Sequence, residues 1–140
     1  MNEKEFMRLA IKDAKEHKLH FGAVVVKDGK VIAKAGKRPN GDPRYHAETQ
    51  ALIKATNCLK TRNLRGCTLY STCEPCPMCF YMAWITQVSK IVYGATLRDC
   101  FNYGFKEINI SDKVLNHKSG NKIKLKKGFL REECLELFRA

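Results

Sequence analysis

The chain has 140 residues and a mass of 16.0 kDa, a length that one hydrophobic core serves, so it reads as a single domain over residues 1–140. With 44% hydrophobic and 29% charged residues, nine Gly and four Pro, its composition excludes collagen-like and disordered classes. The formal net charge of +12 points toward a polyanionic partner such as RNA, yet the excess is spread as +5, +3 and +4 over residues 1–45, 46–110 and 111–140.

Phe6, Leu9, Ala10 and Ala14 recur at helical spacing and predict a helix over about residues 3–18. Two β-branched runs, 20–27 and 30–35, flank Asp28-Gly29 and predict a hairpin closed by a two-residue turn. A polar loop over 36–45, with Pro39, Asn40-Gly41 and Asp42-Pro43, leads into a helix over 47–59. Residues 67–72 read as a strand, 76–87 as a helix and 90–94 as another strand. A loop-rich stretch follows, then a strand near 123–126 and a last helix over about 130–138. Strands alternating with helices after an opening hairpin predict a three-layer α/β/α sandwich around a central mixed five-stranded sheet.

Within that frame, Lys118, Lys122, Lys124, Lys126 and Lys127 form the densest basic run. It reads first as a solvated edge strand whose lysines prevent edge pairing, and second as an RNA-facing strip. Phe80, Tyr81, Met82, Ala83, Trp84 and Ile85 make their helix apolar all round. Such a helix needs cover on two sides, which predicts a homodimer unless the first and last helices flank it.

No stretch approaches the roughly 18 to 20 apolar residues of a membrane helix, and the first twenty residues carry Lys, Glu, Asp and Arg in place of a signal-peptide core. The expected location is cytoplasmic. Seven cysteines, an odd number without an export signal, point to metal binding or reduced thiols and away from a disulfide framework.

Two motifs carry chemistry: His46-Ala47-Glu48 at one predicted helix start, and Pro75-Cys76-Pro77-Met78-Cys79 at the next. Cys76 and Cys79 are three residues apart at a helix start, where they share a face and the helix dipole favours thiolate. That set suits zinc, with His46 as third ligand and an open fourth position for water. Two thiolates cancel the charge of the cation, so an adjacent base is needed, and Glu48 fits. A four-cysteine structural knuckle lacks its second C-x-x-C pair. An iron–sulfur run through Cys73, Cys76 and Cys79 lacks its fourth cysteine. Cys73 reads as a small buried residue beneath the site, and His17, His20 and His117 as surface or packing residues.

H-x-E, with the first cysteine of P-C-x-x-C thirty positions after the histidine, resembles the cytidine-deaminase-like superfamily of zinc deaminases. The resemblance extends from Phe21-Gly22-Ala23, through Asp42-Pro43 and the two motifs, to Val92-Tyr93-Gly94. It implies that His46, Cys76 and Cys79 bind zinc and that Glu48 shuttles protons. The implied reaction is hydrolytic: water displaces an amino group from a ring carbon, Glu48 protonates the ring nitrogen and then the departing amine, and ammonia leaves.

Cys73-Glu74-Pro75-Cys76-Pro77-Met78-Cys79 looks most like the guanine deaminase branch, as does Gly104-Phe105-Lys106-Glu107, which makes Glu107 a candidate second acid. The expected substrate is therefore a free nucleobase or nucleoside, an aminopurine such as guanine. The ending Gly128-Phe129-Leu130-Arg131-Glu132-Glu133-Cys134 looks more like the tRNA adenosine deaminase branch, so adenosine in tRNA is the alternative, with cytosine or cytidine a third. Lys37 occupies the position where both branches usually place a substrate-binding Asn. Either Asn40 supplies the amide from a displaced position or the pocket takes a different ring. Tyr45 and Phe105 are candidates to stack on a flat heterocycle. A catalytically idle RNA-binding module would keep the fold without needing Glu48.

Overall fold

In the computed structural model, which describes residues 1–39 and 42–139, β1 (Ala23–Lys27) and β2 (Lys30–Lys34) form the expected hairpin. Asp28 and Gly29 both take left-handed φ, 50° and 74°, the conformation that a two-residue turn matched to strand twist requires. Further along come α1 (Glu3–Glu16), α2 (Ala47–Leu59), β3 (Cys67–Cys73), α3 (Pro77–Ile85) and β4 (Lys90–Ala95). The chain closes with α4 (Leu97–Asn102), α5 (Asp112–Lys118), β5 (Lys124–Lys126) and α6 (Arg131–Arg139).

The strands form one mixed sheet in the order β2-β1-β3-β4-β5. β1 is antiparallel to β2 and β3, whereas β3, β4 and β5 run parallel. Alternation along the strands divides the core in two. Ala23, Val25, Leu69, Ile91 and Tyr93 face Ala51, Leu52 and Ala55 of α2 and Phe80 and Ala83 of α3. Val24, Val26, Tyr70 and Val92 face Phe6, Met7 and Ala10 of α1 and Cys134 and Leu137 of α6. The result is the three-layer sandwich.

Two glycines let the outer layer approach. A Cβ at Gly22 would overlap the Ala10 carbonyl of α1, and one at Gly94 would overlap the Cys134 side chain of α6. Both come from the quoted motifs, Phe21-Gly22-Ala23 and Val92-Tyr93-Gly94.

The loop-rich reading of the segment after β4 is corrected by α4 and α5. Thr96 caps α4 in a reciprocal box, accepting from the Asp99 N–H at 3.1 Å while Asp99 accepts from the Thr96 N–H at 2.9 Å. Ser111 caps α5. Both helices are short and lack an apolar period, so only their caps announce them.

The covering of α3 is also resolved. α1 and α6 pack on the opposite face of the sheet, so they do not flank it. Phe80 and Ala83 are buried, but Met78, Tyr81 and Ile85 remain 42%, 58% and 52% exposed along one face. The basic run falls on edge strand β5 and its flanks, as the first reading expected. No helix among the described residues is long and apolar enough to cross a membrane.

Candidate active site

The site lies beyond the carboxyl end of β3, where open α/β sheets receive ligands. After Cys73 the chain reads Glu74-Pro75-Cys76-Pro77. Proline after Cys76 disfavours helical backbone at Cys76 and is suited to the first helical position. Accordingly Cys76 is extended (φ −66°, ψ 168°) and caps α3, with Pro77 beginning the helix and Cys79 in its first turn. On the other side, Asp42 accepts the Arg44 N–H on its side chain at 3.0 Å and the Tyr45 N–H on its carbonyl at 3.1 Å. This turn delivers His46 as the extended N-cap of α2 (φ −85°, ψ 158°). Neither His46 nor Cys76 uses its side chain to cap, so both stay available to a ligand.

Three donors converge. His46 Nδ1 lies 3.5 Å from Cys76 Sγ and 3.4 Å from Cys79 Sγ, and the two sulfurs are 3.6 Å apart. With Zn–S near 2.3 Å and Zn–N near 2.0 Å, tetrahedral angles put such atoms about 3.5 to 3.8 Å apart, so the triangle fits zinc held by three protein ligands. The donors also perturb one another. A hydrogen bond with Cys79 and the nearby His46 bring Cys76 down to about 4 against the opposing effect of burial, and Cys76 in turn raises His46 to about 9. Cys79 is pushed up by Cys76 and by burial.

Glu48, in the first turn of α2, is buried beside this triangle and is pushed up to about 7, first by burial and then by the charge of Cys76. A carboxyl poised there can both take and give a proton near neutral pH.

A cavity of about 350 Å³ opens onto the triangle. Tyr45, Phe105 and Glu107 all line it. Tyr45 is an exposed rim residue with the Arg44 guanidinium 5.5 Å from its ring. Phe105 is half-buried, edge-on to Phe21 at 5.0 Å and tilted against Phe138 at 5.3 Å. Glu107 is half-buried, its pKa raised by burial and by the charge of Cys76. Asn40 lies outside the described residues, and Lys37 is exposed.

Other members of the site were not legible in the motifs. His20, expected to be a surface or packing residue, lines the cavity and bonds through Nδ1 to the Leu137 carbonyl at 2.9 Å. That contact requires a proton on Nδ1. Arg38 also lines the cavity. Buried Glu74, also in the cavity lining, accepts the Leu97 N–H at 3.1 Å and the Asp112 N–H at 2.8 Å. The first residues of α4 and α5 are thus tied to the end of β3 through one carboxylate. Cys73 is buried against Cys100, as a packing residue would be.

Residues 1–95 match the family model described as the cytidine and deoxycytidylate deaminase zinc-binding region. The chain is 34% identical over 135 residues to the tRNA-specific adenosine deaminase of Bacillus subtilis (strain 168), covering 92% of this chain and 81% of that one. It is 39% identical over 89 residues to the guanine deaminase of the same organism, covering 62% of this chain and 57% of the relative. Among solved structures, the guanine deaminase from Nitrosomonas europaea superposes with a TM-score of 0.88 at 25% identity, over 99% of this chain and 83% of that one. With the metal-ligand triangle and the sandwich matched along most of its length, the chain belongs to the zinc-binding cytidine and deoxycytidylate deaminase family, hydrolases acting on C–N bonds.

Proposed function

We propose that the protein hydrolytically removes the amino group of a nucleobase or nucleoside, with an aminopurine such as guanine as the preferred substrate. The observation that carries this choice is Glu107, which lines the same cavity as Glu48, whereas the other two carboxyls there are engaged, Asp42 by Arg44 and Glu74 by the Leu97 and Asp112 N–H groups. Guanine and guanosine carry ring N–H donors that a carboxylate accepts; the adenine ring of a nucleoside has none. The cavity volume suits one heterocycle or nucleoside.

Zinc would be held by His46, Cys76 and Cys79 and would supply the Lewis acidity that acidifies water at neutral pH. As the water oxygen bonds to the amino-bearing carbon, Glu48 takes its proton and delivers it to the adjacent ring nitrogen. Glu48 then takes the proton left on that oxygen and gives it to the amine nitrogen; the C–N bond breaks, the carbonyl forms and ammonia leaves. Phe105 and Tyr45 flank the ring by their faces or edges, while Glu107 accepts from a ring N–H.

Deamination of adenosine in tRNA is the second reading, favoured by the extent of the match to the tRNA-specific relative, 92% of this chain against 62% for the guanine deaminase. We also read the enzyme as cytoplasmic, on its seven unpaired cysteines, and as a homodimer closed over the exposed face of α3.

Ammonia release from zinc-loaded protein separates the readings, using guanine, guanosine, adenine, cytosine, cytidine and an anticodon stem-loop RNA. Guanine or guanosine turnover that barely changes between about 50 and 200 mM salt is expected. Efficient, steeply salt-dependent turnover of the RNA with inert free bases would establish the tRNA reading instead.

A further inference from the structure

Several polar groups in the cavity wall are already engaged. Outside the zinc ligands and Glu48, Asp42 is held by Arg44, Glu74 by the Leu97 and Asp112 N–H groups, and Arg38 donates to the Phe21 carbonyl. His20, Tyr45 and Glu107 remain. Of these, His20 is firmly placed. The backbone after it is fixed, with the Phe21 carbonyl taken by Arg38 and the Gly22 N–H donated to Thr72 Oγ1 at 3.0 Å. Its ring donates Nδ1–H to the Leu137 carbonyl at 2.9 Å and lies edge-on to Phe105 at 5.4 Å.

That tether decides what the imidazole offers. With the proton on Nδ1, the neutral ring presents Nε2 as an acceptor, on the side turned away from the Leu137 carbonyl. Nε2 makes no hydrogen bond among the described residues, and His20 is both exposed and part of the cavity lining. The wall therefore holds two unengaged groups that only accept, the Glu107 carboxylate and His20 Nε2. Free guanine has two ring N–H donors, one at N1 and one in the five-membered ring, at N7 or N9 according to tautomer. Guanosine keeps only the first, because the sugar occupies N9 and leaves N7 without a hydrogen. With the amino-bearing C2 at the buried floor beside Glu48, the five-membered ring is the part of guanine turned toward the mouth, where the exposed His20 stands.

We infer that His20 is a specificity-determining residue: Nε2 accepts the five-membered-ring N–H of a free aminopurine while Glu107 accepts the N1–H, so the site selects the base over its nucleoside. This deepens the guanine reading given above and rests on it for the identity of the ring. A site that hydrogen-bonds one substrate group discriminates against the analogue lacking it, because its own polar group is then left unpaired.

The test compares guanine with 9-methylguanine, which keeps the reacting carbon and the N1–H but has no five-membered-ring N–H and no sugar hydroxyl. Both are assayed on zinc-loaded wild type, His20→Phe and His20→Gln. In His20→Phe the ratio of kcat/KM for guanine over that for 9-methylguanine should fall about three- to tenfold, the effect of losing one hydrogen bond. His20→Gln restores an acceptor near the Nε2 position and should keep part of the ratio. An unchanged ratio in both variants, or equal losses on both substrates with lower zinc content or melting temperature, overturns the assignment.

Hypoxanthine against 9-methylhypoxanthine, neither of which has an amino group to lose, repeats the comparison as dissociation constants. A preference for hypoxanthine that His20→Phe removes, in a protein that releases no ammonia from guanine, upholds His20 and overturns the guanine reading. Guanine turnover with an undiminished preference in both variants does the reverse. A wild type that treats each base and its 9-methyl derivative alike overturns the assignment of His20.

Discussion

Lys126 on β5 donates to Glu3 at the start of α1 across 2.7 Å, and Lys90 on β4 takes the other carboxylate oxygen at 2.9 Å. One lysine of the densest basic run is therefore engaged within the fold, whereas Lys124 is exposed. Lys124→Glu should leave the melting temperature and small-molecule kinetics unchanged, and Lys126→Glu should lower the melting temperature by placing two carboxylates together. A salt-dependent loss of RNA turnover in Lys124→Glu would favour the tRNA reading.

The same bridge has a pH signature. The lysine hydrogen bonds hold Glu3 down to about 2, below its ordinary value of 4.5. Its contribution is therefore complete above about pH 4.5 and is lost as pH falls through about 2. Because the group is partly exposed, the loss should be no more than about 1 kcal/mol. Acid unfolding of wild type against Glu3→Gln measures it; parallel curves from pH 5 to 2 would count against the pairing.

The zinc centre should bind about one ion per chain, and Cys79→Ala should lose both metal and stability, because His46 and the cysteines join two helix starts through the ion. A fall in melting temperature of about 5 °C or more is expected, matched by chelation of wild type. Elemental analysis and calorimetry check this. Iron in place of zinc would overturn the ligand assignment.

Glu48→Gln should retain zinc and lose turnover by about a hundredfold or more, since an amide cannot carry the proton. Near-normal turnover in a folded, zinc-loaded variant would pass the proton to another group, with Glu107 the first to replace.

Asp112 is buried with both carboxyl oxygens lacking a partner among the described residues, and burial, followed by the charge of Glu74, pushes it up to about 9. It stays protonated in the fold at neutral pH but ionises in the unfolded chain above its ordinary 3.8. This difference lowers stability as pH rises from about 4 to about 9. The melting temperature of Asp112→Asn relative to wild type should thus climb between pH 5 and 8. A constant difference would refute it.

The exposed face of α3 should close a dimer. Tyr81→Glu is expected to give a species of monomer mass in sedimentation at micromolar concentration, where wild type sediments as a dimer. A monomeric wild type would end the idea.

Much of this was legible because the signals were local. The bounds of α2 follow from its apolar run and from Leu59 yielding to Lys60, which takes left-handed backbone at φ 53°. The zinc triad was legible because His46, Cys76 and Cys79 sit at helix starts flagged by prolines. α4 and α5 were not, since their bounds depend on caps and on Glu74, which lies 23 and 38 residues away from the N–H groups it accepts. Arg38 and His20 were missed for a related reason. Their inward placement depends on how a loop and the strand entry fold over the site, and no spacing rule reports that.

Gly94 has a mechanical consequence. It lets α6 seat against β4, and α6 in turn carries the Leu137 carbonyl that orients His20 and the Phe138 ring against Phe105. Phe105 and His20 in the cavity wall are thus braced by the layer opposite the helices α2 and α3 that carry His46, Cys76 and Cys79. A side chain added at Gly94 would lever the recognition wall outward, so its effect should appear in KM before it appears in zinc content.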